Sequence, residues 1–105
     1  MNYQGDFENF EDVVCNFDCS QEQINFIDNI LFAAYEYEDY EGCAFVIFKG
    51  KDGILYEVNG AHCSCYGLED QWEPEPIVMK ELKNRTNYNS ILQNYKVADF
   101  LDKLS

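Results

Sequence analysis

The sequence predicts a single α+β domain over residues 1–105: a small antiparallel β-sheet with helices packed on one face. Three observations lead there. Two runs of strand-forming residues, 43–48 and 54–59, flank the turn signal Asp52-Gly53. Apolar residues recur at helical spacing before that pair and again after it. No repeat or linker divides the chain, whose length suits one domain.

In chain order, Phe7, Phe10, Val13, Val14 and Phe17 form one helical stripe, with Glu8, Glu11 and Asp12 outside it. Ser20 stands three residues before Gln23, the pattern of a capping box. Behind it Ile24, Ile27, Ile30, Leu31, Ala34 and Tyr35 keep helical spacing, which predicts a helix over 21–37. The hairpin 43–48/54–59 follows. Residues 61–66 predict a third strand beyond Gly60, which reads as a turn or bulge. Glu73-Pro74-Glu75-Pro76 is incompatible with a central strand or a helix interior. Pro76 suits the first turn of a helix over 77–84, and Ile91, Leu92, Tyr95, Val97, Ala98, Leu101 and Leu104 suggest a last helix, broken near Lys96.

Charge is the unusual property. Twenty acidic residues against seven basic ones give a net charge of −13. Residues 1–48 hold eleven acids and no Lys or Arg, so most of the imbalance lies in that half. A binder that works by neutralising phosphates is excluded, and docking on anionic membranes is disfavoured. With no leader-like N-terminus and no apolar run near about 18 residues, the expected location is the cytoplasm. Five cysteines, an odd number, then read as reduced thiols.

Three groups of residues are candidates for chemistry. His62, Cys63 and Cys65 are the densest reactive cluster, but a C-x-C pair beside one His lacks the usual zinc spacing. Cys15 and Cys19, four apart, would share one face if both lay on a helix. A small metal- or thiol-dependent module on His62, Cys63 and Cys65 is the alternative reading. The favoured reading assigns no metal, no cofactor and no catalysis. Trp72 among carboxylates is either a lid folded onto the core or an exposed contact. The binding segment preferred from sequence is Tyr35, Glu36, Tyr37, Glu38, Asp39, Tyr40 and Glu41, joined by Glu8, Glu11 and Asp12. Extended, such a segment sets carboxylates about 6.6 Å apart on one side, and aromatics beside them let it imitate a nucleic-acid edge.

The run from His62 to Glu75 (HCSCYGLEDQWEPE) resembles the core of a family of small acidic proteins from phages and bacteria. Tyr40-Glu41-Gly42 and Leu55 to Gly60 share the resemblance, which spans about residues 40–82. It implies a phage or mobile-element setting and carries over no catalytic or binding role. Together these readings predict an acidic interaction protein, an inhibitor that occupies the basic, nucleic-acid-binding surface of a host protein. It would contact neither nucleic acid nor membrane directly.

Overall fold

The computed structural model describes residues 2–5, 7–38, 41–62, 68–69, 71–87, 92–93, 95 and 97–104; for Asn2, Tyr37, Glu38, Glu41 and Leu104 only the backbone is described. The fold is α+β. The strands are β1 (Asn2–Gly5), β2 (Ile27–Glu38), β3 (Glu41–Gly50), β4 (Leu55–His62) and β5 (Glu75–Pro76). The helices are α1 (Phe10–Asn16), α2 (Gln21–Phe26), α3 (Met79–Arg85) and α4 (Val97–Leu104). The strands lie side by side in the order β1-β2-β3-β4-β5.

The hairpin is as expected and longer. β3 and β4 pair antiparallel from Lys49 opposite Leu55 to Gly42 opposite His62. Its turn closes as the Asp52-Gly53 signal requires: Gly53 has φ +83°, a conformation that favours glycine. Asp52 Oδ1 accepts the Ile54 N–H at 3.0 Å, and Oδ2 accepts the Tyr56 hydroxyl at 2.6 Å. The hydroxyl bond, followed by the Ile54 amide, holds the Asp52 carboxyl below its ordinary range.

The sheet is mixed rather than antiparallel, because β1 runs parallel to β2, with Tyr3 beside Ala33. Parallel neighbours cannot be joined by a tight turn. Residues 6–26, which include α1 and α2, make the crossover between them. The helices also cover both faces rather than one. Val46, Phe48 and Val58 join Val13, Val14, Phe17 and Trp72 in one apolar cluster, under α1 and α2. Phe32, Ala34, Phe45 and Ile47 join Leu82, Leu92, Val97 and Leu101 in a second, under α3 and α4. Burying each such large side chain contributes about 1.5–3 kcal/mol.

The largest correction concerns residues 21–37. The capping box is present: Gln23 N–H donates to Ser20 Oγ at 3.2 Å, and Ser20 N–H to Gln23 Oε1 at 2.7 Å. The helix it starts ends at Phe26, and Ile27 turns extended. The following strand resembled a helix because of two irregularities. Ile27 and Asn29 oppose Gly50 and Lys49, and Ile30 and Phe32 oppose Phe48 and Ile47. Each step places two residues of β2 against one of β3, as in a β-bulge. Ile27, Ile30 and Ala33 therefore reach one face at intervals of three, and a strand period of two reads as a helical stripe.

Two smaller expectations change. Ala61 and His62 are the end of β4, with Gly60 inside the strand opposite Ala44. They do not begin a third strand, and residues 63–66 of that expectation lie outside the described ones. Glu75 and Pro76 form an edge strand against Glu57 and Tyr56, where a proline is tolerated, and the helix begins only at Met79. At the C-terminal end Leu92 and Gln93 are helical and α4 starts at Val97, in keeping with a last helix broken near Lys96.

One buried ionic contact ties α3 to the sheet. Glu57 is 4% exposed on β4. Arg85 Nη2 donates to its Oε1 at 2.5 Å and its Oε2 at 2.6 Å, and Asn59 Nδ2 donates to Oε1 at 2.8 Å. Removing the guanidinium strands a desolvated carboxylate, so Arg85→Ala should lower stability by about 3 kcal/mol in urea unfolding. Adding Glu57→Leu to Arg85→Leu should recover most of that loss, since the pair is then absent rather than broken.

Candidate protein-docking surface

Five of the eleven acids of the base-free half stand in one layer, residues 7–26. Asn9 caps α1 by accepting the Asp12 N–H at 2.9 Å, and Asp12 Oδ2 accepts the Glu8 N–H at 3.0 Å. With Val13, Val14 and Phe17 turned into the core, Glu8 and Glu11 remain exposed. The end of α1 is a Schellman motif. Cys19 N–H donates to Val14 O at 3.0 Å and Asp18 N–H to Cys15 O at 3.2 Å, with Asp18 left-handed at φ +53°. Glu22 opens α2, again exposed. Residues 7–26 thus carry Glu8, Glu11, Asp12, Asp18 and Glu22 and no base. The opposite layer mixes signs: Lys80, Glu81, Lys83 and Arg85 on α3, Asp99, Asp102 and Lys103 on α4. Among the described residues the one ion pair reaching the acidic half joins Asp28 to Lys51, at 3.7 Å and exposed.

The segment preferred from sequence is placed differently. Residues 35–38 are strand, in β2, and Glu38 pairs with Glu41 of β3. Tyr35 is 8% exposed and belongs to the core, its ring 5.1 Å from that of Phe7. It cannot serve as a surface anchor. Glu36 follows Tyr35 on the strand and so leaves the sheet on the α3–α4 side, away from Glu8, Glu11 and Asp12. Asp39 and Tyr40, and the side chains of Tyr37, Glu38 and Glu41, lie outside the described residues. The structure brings Glu8, Glu11 and Asp12 together and sets Glu36 apart from them.

The reactive cluster reduces to one described member. His62 ends β4 on the α1–α2 face, and Tyr35 Oη lies 2.5 Å from its Nε2. The ring lies over Gly42, where any Cβ would meet Nε2 and have to displace the ring. Cys63 and Cys65 lie outside the described residues. Among the described residues no three His, Cys, Asp or Glu side chains are grouped to hold a metal ion. Burial first, then Asp18 and Cys15, pushes the Cys19 thiol up to about 11, the opposite of what a nucleophile or metal ligand needs. Trp72 is buried, stacked on Phe48 and edge-on to Phe17: it is the lid, not the exposed contact.

The fold and this surface define a mixed-sheet α+β protein with one acidic and one mixed-charge helical layer. No protein-family model, no curated protein and no solved structure matches the chain. Among the described residues no helix is long and apolar enough to cross a membrane.

Two outcomes follow from the α1 terminus. Asp18→Gly removes left-handed strain and a negative charge at a helix C-terminus, and should stabilise by about 0.5–1 kcal/mol, seen as a higher Tm. The raised Cys19 thiol contributes stability that is complete below the ordinary thiol value and is lost as pH rises through about 11. The stability difference between wild type and Cys19→Ala should therefore shrink between those limits.

Proposed function

We propose that the protein is an acidic interaction module that occupies the basic, nucleic-acid-binding surface of another protein and thereby inhibits it. The observation that supports this reading is the layer over residues 7–26: five carboxylates on one side of the sheet with no base among them. A surface kept acidic only for solubility ordinarily mixes both signs, as the α3–α4 layer does. The partner we propose is a host protein met in the cytoplasm, the setting that the sequence resemblance of residues 40–82 implies. The reading needs no cofactor and no reaction.

Magnitudes set what the layer can do. A carboxylate–ammonium pair at 4 Å is worth about 1 kcal/mol in bulk water, and salt screens it beyond about 8–10 Å. Such charges raise the association rate and choose the partner more than they hold the complex. The α1–α2 layer, with Glu8, Glu11 and Asp12, carries this role without Tyr35, which is buried.

The test uses purified basic nucleic-acid-binding proteins, each bound to labelled duplex DNA, and measures displacement of the DNA. Wild type should displace DNA from at least one of them, and less so as salt rises. Replacing Glu8→Gln, Glu11→Gln, Asp18→Asn and Glu22→Gln together should slow association about tenfold and flatten the salt dependence. A variant that competes as well as wild type, or competition indifferent to salt, overturns the proposal.

A further inference from the structure

We infer that the docking surface has an apolar anchor beside the acidic helices, and that its occupant is a basic, amphipathic segment of the partner protein. The inference rests on the docking reading above and locates where its affinity comes from. Among the described residues three large hydrophobic side chains are exposed: Phe26 at 36%, Ile54 at 48% and Val78 at 52%. They lie far apart in sequence and converge at one place. Phe26 ends α2, its ring 5.5 Å from that of Tyr56 on β4. Gly50 N–H donates to Ile54 O at 2.9 Å, which continues the hairpin register past Leu55 and puts Ile54, two residues before Tyr56, on the Tyr56 side. Pro76 pairs with Tyr56, and Ile77 N–H donates to Leu55 O at 3.0 Å, which carries the register one step further and sets Val78 opposite Ile54. Ile77 packs on the α3–α4 cluster, so Val78 faces the other way, toward the α1–α2 side.

The patch adjoins the acidic layer without a break, since Phe26 is the last residue of the helix that Glu22 opens. Its surroundings are acidic on balance: Glu22, one turn before Phe26, with Asp28 and Asp52, against Lys51, which pairs with Asp28 at 3.7 Å, and Lys80, two residues beyond Val78. Apolar side chains rimmed by carboxylates complement a surface with lysines or arginines around apolar side chains. Three exposed side chains are too few for a stable interface, which buries about 800 Å² per partner. The occupant therefore spans the patch and α2 together. A second copy of this chain is a poor occupant, because each copy brings a net charge of −13.

Two synthetic helical peptides of about 18 residues serve as probes. One carries lysines on one face and leucines on the other; the second has the same lysines with serines for leucines. Titrated at about 50 mM salt, where charges act over longer range, wild type should bind the leucine peptide about tenfold tighter than the serine peptide. The double variant Ile54→Ser, Val78→Ser should lose that preference while keeping its melting temperature and its affinity for the serine peptide. Equal binding of both peptides by wild type, or a preference that survives the double variant, overturns the anchor and leaves the acidic docking surface standing. Binding of neither peptide overturns the docking surface, and the anchor with it. A dimer in sedimentation that the double variant abolishes puts a second copy on the patch and overturns the basic occupant.

Discussion

The organising constraint is β3. Ala44, Phe45, Val46, Ile47 and Phe48 are consecutive and all buried, so this strand has no side that tolerates water. Both of its faces must be covered, and a chain of this length covers them with one helical layer each. The parallel placement of β1 beside β2 then decides which segment covers which face. Its connection has to cross the sheet, and that connection is α1 and α2. The acidic layer is therefore the crossover that the topology requires, and the distribution of charge along the chain becomes a difference between the two sides of the molecule.

Much of the architecture was legible in the amino-acid pattern, and the exceptions have physical causes. The 43–48/54–59 hairpin, the capping box at Ser20 and the inward stripe of the first helix each rest on neighbours in sequence, and each is present. β2 was misread because Asp28 and Leu31, the extra residues at its two irregularities, shifted the phase of its alternation. Local spacing cannot tell an interrupted period of two from a period of 3.6. β1 and β5 were missed because short edge strands take their identity from a partner rather than from their own composition.

The candidate site was legible in its charge and not in its place. Glu11 and Asp12 lie off the apolar stripe of α1, which fixes their direction, and Glu8, just before the cap, is exposed. Tyr35 looked like a surface tyrosine among carboxylates, yet it fills the core and reaches His62, a contact across 27 residues that no local pattern announces. Glu57 and Arg85, 28 residues apart, were hidden for the same reason. The convergence of Phe26, Ile54 and Val78 depends on the β4–β5 register, so it too is a property of the folded chain alone.

The borders of the sheet have a consequence for how the molecule behaves in a crowded solution. A long, regular outer strand offers a template on which further chains can stack into cross-β fibres. Here one border is the four residues of β1, and the other is Glu75 and Pro76, a charged residue and one that lacks an amide hydrogen. Among the described residues each outer strand is itself too short to serve as a long template, and the proline in one of them withholds a donor at that border.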